Sequence, residues 1–179
     1  MTPQQIRQQL FDTMIIEPEV NSIIEKKTSS MVDNKDIYQA VADAVNKDMP
    51  WYCVAVIHEL ECSQNFNCYL GNGQPTNQVT TIVPKGRGPF ADFESGAIDA
   101  LEFEGFDKII DWSMGNILYI LESFNGRGYI KRGINSPYLW AGSQHYTKGK
   151  YVKDGIFDPN EVSSQIGVAL LLKKLATGL

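Results

Sequence analysis

The stretch WYCVAVIHELECSQNFNCYLGNGQP, residues 51 to 75, runs from an apolar helix into a loop of amides and glycines. Pro50 stands in the first turn and the pattern ends near Cys62, so the helix has about three turns. Such a helix needs a core to bury it. The chain supplies one: 179 residues, 43% apolar and 21% charged, fit a single compact domain.

Two glutamates sit where the apolar run ends. Advancing about 100° per residue, Val54, Ile57, Leu60, Cys53 and Val56 form one apolar arc. Glu61 projects inside that arc, roughly 20° from Val54 and 40° from Ile57. Glu59 projects beside Tyr52 and Ser63 and is expected to face solvent. Burial and the helix C-terminal dipole both disfavour the ionised form of a carboxylate at position 61, which suits a proton donor. His58, three positions earlier, lies close to Glu61 for a hydrogen bond or for ring packing.

The formal charge of −5 and the pI near 5.0 argue against nucleic-acid binding through a broadly basic face, while a local basic patch stays open. Cys53, Cys62 and Cys68 match no zinc ribbon and no CxxC pair and read as thiols from a reducing compartment, with a Cys62–Cys68 bridge left open. Only His58 and His145 offer imidazole, so no metal and no cofactor is expected. The N-terminus has no signal-peptide pattern and no apolar run of about 20 residues occurs. The expectation is a monomer made soluble in the cytoplasm, without membrane insertion.

Residues 3 to 30 read as one or two amphipathic helices broken near Glu17-Pro18, an accessory packing segment. Asp33 or Asn34 is placed to cap a helix carrying Ile37, Val41, Ala44 and Val45. The β-branched run VTTIV between GNGQPTNQ and PKGRGP predicts a short hairpin or irregular β-lobe over 67–89. Helical spacing returns over 95–105 and 111–124, each stopped by glycine, with Asp111 as a cap, and again over about 160–176. Between the last two lies a long aromatic loop, in which Asp154 is expected to shape a turn.

Three ordered blocks, IHELECSQNFNCYLGNGQP, FNGRGY and GINSPYLWAGSQHYTKGKYVKDG, resemble a lysozyme-like family of peptidoglycan-degrading proteins of phages and bacteria. The resemblance covers about residues 35 to 170. Its motif, a helix ending in Glu-x-Ser followed by Asn and an aromatic residue, falls on Glu61, Ser63, Asn65 and Phe66. Gly71 departs from a histidine common among relatives, and Thr76 from a leucine. The resemblance implies an α+β, mainly α-helical, lysozyme-like fold with a small β-hairpin lobe and a long aromatic-rich loop. It divides the chain into a helical accessory segment, 1–30, and a catalytic domain, 31–179.

The implied function is a peptidoglycan glycosidase, muramidase or lytic transglycosylase, cutting the MurNAc–GlcNAc strand with Glu61 as general acid. Without a signal peptide it would act on the wall after release or delivery, as a phage endolysin or an antibacterial effector does. Supporting roles fall to His58, Ser63, Thr80, Thr81 and Glu122, though Glu122 has a plainer role bonding Arg127 or a loop amide. No aspartate stands on the proposed β-lobe, which favours internal attack by the muramoyl 6-hydroxyl over delivery of an activated water. Sugar recognition falls to Asn65, Asn72, Asn125, Tyr129, Ser143, Gln144, His145, Tyr146 and Tyr151, with Lys148, Lys150 and Lys153 adding charge suited to an anionic wall. Tyr138 and Trp140 are expected to pack the loop. The alternatives are a noncatalytic glycan-binding module and a chitinase-like enzyme on GlcNAc polymers.

Overall fold

A computed structural model describes residues 1–153 and 155–177, the side chain of Thr177 excepted. The chain is α+β and mainly helical, with one two-stranded antiparallel sheet among the described residues. It divides into two compact units, one of residues 30–112 and one of residues 1–29 with 113–179. This cuts the chain differently from segments 1–30 and 31–179, since the N-terminal residues share a unit with the C-terminal ones. Among the described residues no helix is long and apolar enough to cross a membrane.

In the unit of 30–112, α3 (Lys35–Val45) packs on α4 (Trp51–Cys62) and on α5 (Phe93–Phe103). The buried stripe of α3 is Tyr38, Val41, Ala42 and Val45, spaced i, i+3, i+4, i+7. Ala44 is exposed, and Asn34 holds the N-cap position without a side-chain cap, its amide donating to the Ser30 carbonyl at 2.8 Å. α4 starts and stops where the sequence places it, but every residue from Cys53 to Glu59 is buried, so it has no polar side.

The segment after α4 forms no strand pair. VTTIV lacks the alternating partner that turns β propensity into a ladder, and among the described residues of 67–89 only an isolated bridge, Cys68 to Pro75, occurs. Side-chain amides hold the loop instead. Gln74 Oε1 accepts from the amides of Thr81 (2.7 Å) and Ile82 (3.1 Å), and Asn72 Nδ2 donates to the carbonyls of Ile82 (3.1 Å) and Pro84 (3.3 Å). Cys62 and Cys68 are joined in a disulfide while Cys53 is a buried thiol, which corrects the reading of three thiols.

In the other unit, α1 (Pro3–Asp12) opens on a Thr2/Gln5 capping box and packs against α6 (Met114–Phe124). Gly115 permits the approach: a Cβ there would lie 2.5 Å from the Gln4 carbonyl oxygen. α6 begins after Ser113, so Asp111 is not its cap. The break near Pro18 separates α1 from α2 (Asn21–Asp33), as predicted. The aromatic segment is more than a loop. It holds α7 (Gly128–Arg132), α8 (Pro137–Trp140) and β1 (Lys150–Lys153), which pairs with β2 (Ile156–Asp158). The last helix, α9, spans Val168–Thr177, later than the predicted start at 160. Asp154 lies outside the described residues.

Candidate functional site

The burial order of the two glutamates at the end of α4 is the reverse of the sequence reading. Glu59 is 7% exposed, and its Oε2 accepts from Gln64 Nε2 at 2.7 Å. Glu61 is half-buried. A helical projection assumes one apolar side, and a helix buried all round from Cys53 to Glu59 comes near the surface at its ends, at Trp51, Tyr52, Leu60 and Glu61.

That last turn is closed without glycine. Ser63 (φ 50°) and Gln64 (φ 59°) both adopt the left-handed region, where non-glycine residues cost of order 1–3 kcal/mol each. Several bonds fix them there. Ser63 N donates to Glu59 O at 2.9 Å, Gln64 N to His58 O at 3.2 Å, and Asn65 N to Cys62 O at 3.0 Å, inside the Cys62–Cys68 loop.

His58 is fully buried among Tyr38, Phe66 and Phe93, with Nδ1 bonded to the Tyr38 hydroxyl at 3.0 Å. Burial depresses its pKa, against the opposing effects of a backbone bond at Asn65 and the Glu59 charge. It is a core histidine with no surface to meet a substrate, and its ring packs as the second of its two expected roles requires. Ser63 is exposed, and Asn65 is exposed with Oδ1 accepting from Asn67 N at 3.0 Å. Thr80 is buried, donating to Pro84 O at 2.6 Å and accepting from Arg87 N at 3.0 Å, and Thr81 Oγ1 accepts from Gln74 at 3.0 Å. These threonines and Asn72 shape the loop. Gly71 fits the ring of Tyr69, since a Cβ there would stand 2.5 Å from it, and the Tyr69 hydroxyl donates to Asp99 at 2.9 Å. A histidine at 71 would displace that ring.

In the unit of 1–29 and 113–179, Glu122 is 3% exposed and pairs with Arg7, not Arg127: Arg7 Nε donates to its Oε2 at 2.7 Å and Nη2 bonds the same oxygen. Burial pushes the Glu122 carboxyl above its ordinary value, and Arg7 opposes the rise. The pair joins α1 to α6 and corrects the expected partner from Arg127 to Arg7.

The same unit holds a cleft of about 900 Å³, lined by Asn125, Tyr129 and Tyr151 among the residues expected to meet sugar. Tyr151 is held by four neighbours. Its ring covers Gly128, where a Cβ would come within 2.8 Å of it, and meets Tyr129 and Phe157 edge to face at 5.2 and 5.4 Å. Its hydroxyl accepts from Arg132 Nε at 3.0 Å, and its amide donates to the Tyr129 hydroxyl at 3.1 Å.

Four other expected contacts do not line this cleft and have structural bonds. Ser143 is fully buried and donates to Trp140 O at 2.7 Å. Gln144 clasps the N-terminal segment, accepting from Ile15 N and donating to Thr13 O, both at 2.7 Å. His145 bonds Leu10 O at 2.8 Å, and Tyr146 is 7% exposed with its hydroxyl accepting from Ser163 N at 3.0 Å. Trp140 and Tyr138 are core, as predicted.

The sequence reading missed Ser163, Ser164 and Gln165, which line the cleft. They fall where a helix was expected, although the punctuation of DPNEVSSQIG already argues for irregular chain. No family model, curated protein or solved structure matches this chain.

Proposed function

We propose that the protein is a peptidoglycan glycosidase that cuts the MurNAc–GlcNAc strand with Glu61 as general acid. The observation that carries this reading is the placement of Glu61. It is a half-buried carboxylate in the last turn of a helix buried from Cys53 to Glu59, followed by a turn that a disulfide and a ring of hydrogen bonds hold in place. An acid must reach the leaving oxygen, and Glu61 keeps the partial exposure that Glu59 and Glu122 lack. The resemblance to lysozyme-like proteins selects the same residue.

The chain carries no Asp or Glu between Glu61 and Asp92, so the following loop offers no second carboxylate to activate water. Transglycosylation fits that chemistry. Glu61 gives its proton to the glycosidic oxygen as the C1–O bond breaks, the muramoyl 6-hydroxyl closes on C1, and its proton returns to the Glu61 carboxylate. The enzyme would meet its wall substrate after release or delivery, as an endolysin or effector does.

The test uses purified sacculi. Glu61→Gln is expected to lower glycan cleavage by about 10² to 10⁴ with an unchanged melting temperature. Glu59→Gln is expected to stay within a few-fold of wild type in rate and to melt earlier, because it weakens the charge-assisted bond to Gln64. Mass spectrometry of the products should find 1,6-anhydro ends. Retained cleavage in Glu61→Gln would refute the assignment, and loss in Glu59→Gln alone would transfer the role.

A further inference from the structure

Charge is divided unevenly along this acidic chain. Residues 30–112 carry five Lys and Arg against thirteen Asp and Glu, while residues 1–29 with 113–179 carry eleven against eight. The imbalance is concentrated. From Ser123 to Lys153 there are six Lys and Arg and no acidic residue. That span supplies most of the walls of the 900 Å³ cleft, at the upper end of the size range of small-ligand sites.

The lining has two kinds of surface. Tyr129 and Tyr151 give aromatic walls, and Asn125 with Ser163, Ser164 and Gln165 gives amide and hydroxyl groups. This pairing suits a saccharide, whose C–H faces stack on rings while its hydroxyl edges take hydrogen bonds. The Tyr151 ring is fixed in advance by Gly128, Arg132 and Tyr129, so little ordering cost falls on binding. Lys150 and Lys153 line the same cleft, where Glu161, 3.7 Å from Lys150, is the one acidic residue among the described residues that line it. A neutral sugar polymer has no use for that charge.

We propose that this cleft binds a carboxylate-bearing saccharide, a muramyl unit with its stem peptide, and that Lys150 and Lys153 select it over neutral GlcNAc polymers. The identity of the saccharide rests on the glycosidase reading; the charge preference rests on the cleft itself. Lys150 also holds Glu161 on the wall, so losing the two lysines removes attraction and leaves an acidic group there.

The experiment is a binding titration followed by NMR on the Glu61→Gln protein, which keeps ligands intact. The probes are a disaccharide carrying its stem peptide and neutral chitotetraose. The peptide-bearing ligand is expected to bind about tenfold more tightly in about 0.01 M salt, with the difference mostly gone in about 0.5 M. Lys150→Ala with Lys153→Ala should weaken it about three- to tenfold, leave chitotetraose unchanged and leave melting unchanged. Tyr151→Ala should weaken both ligands. Equal affinity for the two probes, a preference that survives the lysine substitutions, or no shifts at cleft residues would each overturn the proposal. Cleavage of sacculi by the Glu61→Gln protein, scored separately, would overturn the acid assignment and leave the cleft standing.

Discussion

Glu122 offers the sharpest separation between structure and catalysis. Its carboxylate oxygen Oε2 receives two donors from Arg7, while Arg7 Nη1 donates to Pro3 O at 2.8 Å. The side chains are 11% and 4% exposed, so neither ion has water to fall back on. Removing one partner strands the other, and losses of about 3–5 kcal/mol are usual for that. Glu122→Ala should therefore lower stability by that amount. At about 2–4 °C per kcal/mol for a chain of this size, the melting temperature falls by roughly 6–20 °C.

Glu122→Gln is different. The raised pKa of Glu122 has burial as its main cause, with Arg7 opposing, so the ionised carboxylate is held at a net cost. A folded pKa above the unfolded one means the contribution is fully present below about pH 4.3, the unfolded value, and is lost as pH rises through the folded value. The neutral amide keeps an acceptor for Arg7 and escapes that cost. We expect Glu122→Gln to stay within about 1.5 kcal/mol of wild type, to lose this part of the pH dependence, and to cleave sacculi at near wild-type rate. Arg7→Met with Glu122→Leu should recover most of the stability lost in Glu122→Ala. Urea unfolding from pH 4 to 8 beside a cleavage assay reads all of these. A Glu122→Gln protein that melts as wild type and has lost cleavage a hundredfold would refute the reasoning and return Glu122 to the active site.

Ser63→Gly should stabilise by up to about 1 kcal/mol, because glycine accepts φ 50° without strain, and should keep activity, as calorimetry with a cleavage assay will check; lost activity would give the Ser63 hydroxyl a catalytic part. His58, with a depressed folded pKa, contributes stability that is present above about pH 6.5 and declines as pH falls from there toward the folded value, by up to about 1.4 kcal/mol per pH unit. Its ring resonances should titrate below the range of a free imidazole, and a normal titration near about 6.5 would contradict the burial argument.

The helices were legible where their signals are local. Pro50 and the turn residues after Cys62 bracket α4, and Gly105 and Gly126 follow α5 and α6. The strands were not. VTTIV has the composition of a strand but no partner, whereas Lys150–Lys153 and Ile156–Asp158 are short, carry three charges and pair only because the chain turns back between them. The site divided the same way. Asn125, Tyr129 and Tyr151 line the cleft, but Ser143, Gln144, His145 and Tyr146 tie the chain to itself. Amides and hydroxyls serve a ligand or a neighbouring backbone equally well, and composition cannot say which.

Burial alone does not make a carboxylate an acid. Glu122 is the most buried of the three considered, and its neighbour is a cation that fixes it in place. Glu59 is nearly as buried, and its neighbour is an amide whose bond helps hold Ser63 and Gln64 in the left-handed region. Both are committed to structure. Glu61 is the least buried, yet it sits at a helix end where the exposed carbonyls disfavour negative charge, and the turn beyond it is held by the groups that Glu59 engages. Glu59 is thus tied into the turn that follows Glu61. On the proposed reading Glu61 stays the acid despite the reversed order of burial, because a proton donor must be exposed enough to hand its proton over.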